Sequence, residues 1–304
     1  MLEHCSLCPR NCEVNRLAGE SGYCGETAVI RAARASLHMW EEPCISGTRG
    51  SGTVFFNGCP LGCVYCQNRE IARRGKSGVE ISTERLAQIF IEQQEHGANN
   101  INLVTPTHFV PQIVKSLTIA RNKGLTIPVV YNTGSYEKTD TLRMLDGLVD
   151  VYLPDMKYID ASVAKKYSNA PDYAETAKAA IAEMVRQAGA PVFSQGRQDT
   201  EDGIMVRGVI VRHLMLPGCA DDSRAVIKYL YETYGDKIYI SIMNQYTPMK
   251  NIAETYPELD RKITEWEYDR LVDYAIDLGV ENGFIQEGGT VGESFIPDFD
   301  GRNI

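Results

Sequence analysis

The run Gly58-Cys59-Pro60-Leu61-Gly62-Cys63-Val64-Tyr65-Cys66-Gln67-Asn68 sets three cysteines in CxxxCxxC spacing. Thiolates are the usual protein ligands of iron-sulfur clusters, and a short loop can wrap one corner of such a cube. Three ligands leave the fourth iron of a 4Fe-4S cluster without a protein ligand, so that iron can take a substrate or cofactor. The alternative for the same thiols is a zinc ion with a distant fourth ligand. Four more thiols, Cys5, Cys8, Cys12 and Cys24, follow C-x2-C-x3-C-x11-C. They suffice for a closed tetrahedral zinc site or for a second iron-sulfur cluster, and spacing alone does not choose. Cys44 and Cys219 stand apart and read as small buried hydrophobes, with completion of the first cluster as the alternative. Seven of the nine cysteines are therefore clustered, which in a reducing compartment signals metal ligation rather than a disulfide framework.

The elements that position this loop follow from periodicity. TVFFN at 53–57 is a short apolar run directly before the cysteines, and LAQIFIEQQEHG after Ser82 has helical spacing ending at Gly97. Further apolar strands are INLVT (101–105), IPVVYN (127–132), LVDVYLPD (148–155), RGVIVRHLML (207–216) and KIYISIM (237–243). Helix-compatible sequence follows each. The spacing predicts a helix from about Pro171 to Gly189, burying Tyr173, Ala177, Ile181, Met184 and Val185, and a second from about Asp222 to Gly235. Six strands alternating with helices predict an α/β protein, a partial (β/α)6 barrel, with a doubly wound open sheet as runner-up. GFIQE near 283–287 is too short to supply the two strands an eight-stranded barrel lacks, which predicts a lateral opening and an extended substrate. Residues 1–50 have no sustained period and read as a cysteine-rich metal-binding N-terminal module, followed by a barrel with a C-terminal extension over 51–304.

Composition narrows the class. The 304 residues carry 40 acidic and 31 basic side chains, a formal charge of -9, which disfavours a partner bound by phosphate neutralisation. No apolar stretch is long enough for a membrane span, and MLEHCSLCPRNCEVNRL has no secretory pattern, so a cytoplasmic location without membrane or nucleic-acid partners is expected. The polar stretch Ser194 to Gly203 reads as a surface loop, and Arg69, Arg73, Arg74 and Lys76 as a solvated loop or a substrate or reductant contact.

The form GCxxxCxYCQN resembles the radical S-adenosylmethionine (radical SAM) superfamily, and within it most resembles the activating enzymes of glycyl radical enzymes, such as pyruvate formate-lyase activating enzyme. The resemblance extends over roughly residues 53–250 and looks like an uncharacterised branch that carries CxLCPRxC near its start. It implies a 4Fe-4S cluster on Cys59, Cys63 and Cys66, S-adenosyl-L-methionine (SAM) chelating the open iron, and reductive cleavage to methionine and a 5'-deoxyadenosyl radical that abstracts hydrogen. An electron donor such as flavodoxin or ferredoxin, and a protein substrate, follow from the same resemblance. It places Tyr65 near the adenine, and Gln67 and Asn68 at SAM or the cluster, although these two also read as the start of the next loop. Asp155 and Lys157 fall near SAM's methionyl carboxylate and ribose; residues two apart share a strand face, and their other reading is a structural ion pair. Asn132 and Thr133 fall beside SAM's carboxylate, with asparagine where the family has an acid. Arg212 becomes a carboxylate clamp or a salt bridge, while His213 points the other way. Where many members carry Gly-Gly-Glu for SAM's amino group, this chain has Val104-Thr105-Pro106-Thr107-His108, leaving Thr105 hydroxyl and backbone carbonyls as acceptors. Asn244-Gln245-Tyr246 stands in place of a Pro-Tyr-His type sequence. The alternatives to an activase are a free-standing radical SAM enzyme acting on a peptide, RNA-bound or small-molecule substrate, and a non-catalytic metal-binding scaffold.

Overall fold

A computed structural model describes residues 1–72, 78–194, 203–286 and 297–304. Arg73, Arg74, Lys76 and most of the 194–203 loop lie outside these residues. The strands are β1 (Ile30–His38), β2 (Ser51–Phe56), β3 (Val79–Ile81), β4 (Ile101–Val104), β5 (Val129–Thr133), β6 (Val151–Pro154), β7 (Val192–Phe193), β8 (Met205–Leu214), β9 (Tyr239–Met243) and β10 (Gly283–Ile285). They form one sheet in the order β10-β9-β8-β6-β5-β4-β2-β1-β3, with β7 antiparallel on β8. From β2 to β10 every neighbouring pair is parallel, whereas β1 and β3 are antiparallel additions. The result is an α/β fold around a mostly parallel sheet, a partial barrel.

The six expected strands are β2, β4, β5, β6, β8 and β9. The structure adds a seventh parallel strand, β10, whose three residues pair with Ile240–Ile242. Residues before 50 also join the sheet, because β1 pairs along β2 from Ala32↔Phe56 to His38↔Ser51.

Helices α1 (Pro43–Ser46), α2 (Arg69–Ala72), α3 (Thr83–Glu95), α4 (Val110–Asn122), α5 (Thr139–Arg143), α6 (Ala161–Ser168), α7 (Tyr173–Ala188), α8 (Ala220–Tyr234) and α9 (Glu265–Leu278) connect them. Local chemistry sets their ends. Ser82 caps α3 by accepting the Arg85 N–H at 3.1 Å, and Gly189 and Gly235 cap α7 and α8. Tyr173, Ala177, Ile181 and Met184 are buried as the spacing of α7 requires, with Val185 partly so. β2 is buried along its whole length, as expected of a strand covered on both faces. None of the described helices is long and apolar enough to cross a membrane.

One element positions the site from an unexpected side. α1 sits inside the barrel: Cys44 and Ile45 pack against Val130, Val151, Leu153, Met205 and Ile210. Asn99 and Asn100, just before β4, donate to the Ser46 and Ile45 carbonyls at 2.7 and 2.8 Å. The plug therefore closes the lumen at the N-terminal ends of the strands. Beside the opening of the sheet, residues 297–304 run along β1, with Ala35 N–H donating to the Arg302 carbonyl at 3.1 Å and Phe299 packed edge-on against Phe55 at 5.5 Å. The side expected to be open is thus partly occupied by the C-terminal residues.

Candidate active site

The C-terminal ends of the parallel strands surround a cavity of about 540 Å³, within the range of small-molecule sites. Cys59, Cys63, Cys66, Tyr65, Asn68, Thr105, Asn132, Thr133, Asp155, Lys157 and Arg212 all line it. The topology explains the convergence: they lie at or just beyond the C-terminal ends of five parallel strands, β2, β4, β5, β6 and β8, and chemistry in β/α barrels collects at that face.

The cysteine loop leaves β2 through Gly58, whose φ of +85° and surroundings admit no side chain: a Cβ there would stand 2.6 Å from Glu26 Cγ and 3.0 Å from the Cys24 carbonyl. Around the thiols, the Leu61 N–H points at Cys59 Sγ (3.4 Å) and the Ser168 hydroxyl donates to Cys63 Sγ (3.0 Å). Ser168 continues through the Tyr158 hydroxyl (2.9 Å) to that of Tyr65 (2.5 Å), so Tyr65 is locked by a buried hydroxyl chain. Burial pushes the Cys66 thiol up to about 12 and that of Cys59 upward, with Lys157 opposing both. Such thiols ionise when a cationic centre takes the charge, as ligation by iron does. Three thiols from one loop, backbone N–H groups turned toward sulfur and a lysine nearby fit a 4Fe-4S cluster. Among the described residues, no three His, Cys, Asp or Glu side chains converge on a single-ion geometry.

Opposite the cysteines lies a charged network. Arg212 donates from Nε to Asp155 Oδ1 (3.0 Å), from Nη1 to Glu41 Oε2 (3.1 Å) and from Nη2 to Asn132 Oδ1 (2.6 Å). Lys157 Nζ reaches Asp155 Oδ2 at 2.6 Å. The face-sharing pair read from the sequence is therefore present, and its carboxyl is held below the usual range because Lys157 and Arg212 outweigh burial. Arg212 arrives with its donors engaged by the protein itself. His213 faces away from the cavity, its Nδ1 2.8 Å from the Met156 carbonyl, and burial lowers it to about 4, a neutral imidazole. Gln67 donates to the Gln245 carbonyl at 3.0 Å and ties the cysteine loop to the segment after β9.

Thr105 adopts φ of +57°, a strained conformation for a β-branched residue that costs about 1–2 kcal/mol. Glycine relieves it but costs chain entropy, so Thr105→Gly is expected to raise stability by about 0.5–1 kcal/mol. SAM affinity should fall with the lost hydroxyl. Thermal unfolding without SAM and a SAM titration read both; an unchanged affinity would leave the strain without a role in binding.

Three groups escaped the sequence reading. Glu41 and Glu42 enter from the floor, carried by the plug, and burial raises both carboxyls. Glu137 is buried and accepts from the hydroxyls of Thr107 (2.6 Å), Thr133 (2.6 Å) and Tyr131 (3.2 Å), with burial raising it to about 7. Arg10, between Cys8 and Cys12, donates to the carbonyls of Pro60 (2.8 Å), Asn169 (2.7 Å) and Ser168 (3.2 Å) and stacks 4.0 Å over Tyr23. Only Arg10 carried a local signal, its place inside a cysteine motif.

Arg10 ties the N-terminal cysteines to the loop that carries Cys59, and the fully buried Arg16, bound to the His108 carbonyl, ties them to the segment after β4. Cys5, Cys8 and Cys24 are buried and Cys12 half-buried, with the Tyr23 N–H 3.2 Å from Cys12 Sγ. Burial raises Cys8 to about 12 and Cys24 to about 11. Cys44 belongs to the plug and Cys219 precedes α8, both away from these thiols. A protein with Cys59, Cys63 and Cys66 replaced by alanine is expected to retain iron or zinc at Cys5, Cys8, Cys12 and Cys24. Metal analysis of that variant checks it; a folded, metal-free protein would exclude the second site.

The radical SAM superfamily pattern matches residues 53–206, just over half of the chain, and the chain belongs to that superfamily. An uncharacterized protein of Methanocaldococcus jannaschii is 26% identical over 285 residues, covering 90% of this chain and 75% of its own length. Among solved structures, SuiB of Streptococcus suis superposes with a TM-score of 0.50 at 13% identity, over 79% of this chain and 49% of that one. This chain thus spans about half of SuiB, and at that identity the likeness is one of fold. Methylornithine synthase gives 0.48 at 12% identity over 77% and 71% of the two chains.

Proposed function

We propose that the cavity holds SAM against a 4Fe-4S cluster ligated by Cys59, Cys63 and Cys66, and that the radical produced there abstracts a hydrogen atom from a substrate in the same cavity. The observation carrying this reading is the convergence of those three thiols with Tyr65, Asn68, Thr105, Asn132, Thr133, Asp155, Lys157 and Arg212 on one space, in a chain of the SAM-cleaving radical superfamily. When bound, the cluster supplies one electron to the SAM sulfonium, giving methionine and a 5'-deoxyadenosyl radical. The protein's part is placement. Lys157 offers an ammonium to a carboxylate or ribose hydroxyl, Asn132 offers the amide hydrogen that Glu41 does not take, Thr133 lines the pocket with its hydroxyl held by Glu137, and the Tyr65 ring presents a flat apolar face. Ser168 and the Leu61 N–H hold the sulfurs by hydrogen bonds, which tune a cluster's potential.

Within this reading the activating-enzyme pattern makes a protein backbone one candidate substrate, with flavodoxin or ferredoxin as donor in a cytoplasmic setting. A free-standing enzyme acting on a peptide, RNA-bound or small-molecule substrate is the second candidate, and the plug, which brings Glu41, Glu42 and Pro43 to the cavity, favours it by bounding the space from below. SuiB has been seen bound to the precursor peptide SuiA. The N-terminal cysteines take a second iron-sulfur cluster or zinc in either case. Anaerobic reconstitution with iron, sulfide, reductant and SAM is expected to yield 5'-deoxyadenosine. A reconstituted protein that binds iron and SAM yet never forms it would refute the enzymatic reading in favour of a scaffold.

A further inference from the structure

The floor of the cavity carries a buried carboxyl oxygen that the protein leaves without a hydrogen-bond partner. Among the described residues lining it, the acids are Glu41, Glu42 and Asp155 and the bases are Lys157 and Arg212. Lys157 is taken by Asp155, and Arg212 by Asp155 and Glu41. Burial holds the remaining titratable neighbour, His38, toward its neutral form. Among the described residues Glu42 makes no direct ion pair, since Arg212, the cation that acts on it, is held by Asp155 and Glu41. It is 9% exposed; burial raises its carboxyl against the pull of Arg212 and the Ser241 hydroxyl, and its Oε2 is buried with no hydrogen-bond partner. An unpartnered buried carboxyl oxygen is costly and is tolerated where a ligand completes it.

The surroundings define what that ligand is. Ser241 on β9 stands opposite Phe284 on β10, and Met243, Phe284 and Ile285 give this side of the cavity an apolar wall. A cationic head on an aliphatic stem satisfies both features. Its source follows from position. The thiols that SAM must reach lie at the C-terminal ends of the strands, whereas Glu42 is carried in from the opposite end by the plug. A cation at the floor therefore belongs to a second molecule beneath SAM.

We propose that Glu42 receives an alkylammonium group of the substrate, a lysine-type side chain or a free amine, and so selects cationic substrates in the space that SAM leaves. This rests on the reading that SAM shares the cavity, and the experiment separates the two. Equilibrium binding to the anaerobically reconstituted holoenzyme is measured with SAM present, using the tripeptide Gly-Lys-Gly, its norleucine counterpart and n-pentylammonium; SAM binding is titrated separately. The expected result is at least tenfold tighter binding of the lysine peptide than of the norleucine peptide. Glu42→Gln should abolish that preference while leaving SAM affinity within about twofold. Comparable binding of n-pentylammonium would assign the site to small amines, and its absence to peptides; either supports the ammonium subsite. Equal binding of both peptides to the wild type overturns the proposal without recourse to a variant. A tenfold loss of SAM affinity in Glu42→Gln also overturns it, by giving Glu42 to SAM. Should Glu42→Gln fail to fold, Ser241→Ala, which removes the hydroxyl facing Glu42, is expected to cut the lysine preference severalfold, and an unchanged preference counts against the proposal.

Discussion

SAM cleavage is expected to fall to the rate without enzyme when Cys59, Cys63 and Cys66 are replaced together by alanine. The three thiols come from one loop at the mouth of one cavity, and none of the other described cysteines lines it: Cys44 is sealed in the plug, Cys219 lies at the start of α8, and Cys5, Cys8, Cys12 and Cys24 belong to the N-terminal segment. A cluster needs its thiolates for retention as well as for tuning, so the loss extends to the iron held at this loop and to the SAM-dependent EPR signal of the reduced protein. The fold should survive, because these side chains are half-buried at a loop and the strands beneath are packed without them. Circular dichroism and thermal unfolding confirm that point. Cleavage retained by the folded variant would move the chemistry elsewhere, with the N-terminal cysteines as the only clustered thiols remaining.

The barrel was legible because parallel strands covered on both faces are continuous apolar runs, and INLV, VVYNT and VYLP read that way without any tertiary knowledge. Helix α7 announced itself by spacing and by Gly189 at its end. What escaped had weak local signals. β10 has three residues and is a strand only because β9 lies beside it. β1, rich in alanine and arginine, has a mixed burial pattern and gains its identity from pairing with β2. Asp155 and Lys157 were readable from the resemblance of VDVYLPDMKYID to a family segment; β6 ends at Pro154, and the two side chains meet just beyond it as an ion pair. Glu41 was not, since its partners Asn102, Asn132 and Arg212 are 61, 91 and 171 positions away. The same separation hides which acids engage Arg212, read from the sequence as a carboxylate clamp or a salt bridge: they are Asp155 and Glu41 of its own chain.

That engagement makes Arg212→Met the substitution with the largest expected cost to the fold. Methionine keeps most of the volume and removes the charge, leaving Asp155, Glu41 and Glu42 around the single cation Lys157. Breaking a buried pair by removing one partner costs about 3–5 kcal/mol, because the other charge stays buried without compensation. The sign of its pH dependence follows from the acids left behind. In the wild type, burial raises the carboxyls of Glu41 and Glu42 while Arg212 pulls them down; without the guanidinium they rise further. An acid whose folded value exceeds its unfolded one withholds stability above the unfolded value, and the penalty shrinks as pH falls and the folded protein takes up the proton. The stability gap between wild type and Arg212→Met should therefore be widest near pH 8 and narrower near pH 5.5, as denaturant unfolding at the two values will show. Asp155→Ala tests the same network from the other side. It leaves Lys157 and Arg212 facing each other with Glu41 as their nearest acid, so stability falls here too. If Asp155 also orders the SAM pocket, SAM affinity drops at least tenfold in the folded variant, and SAM then raises its Tm by less than it raises that of the wild type. Equal SAM affinity in the two folded proteins would reduce the Asp155–Arg212–Glu41 network to a structural brace between β6, β8 and the plug.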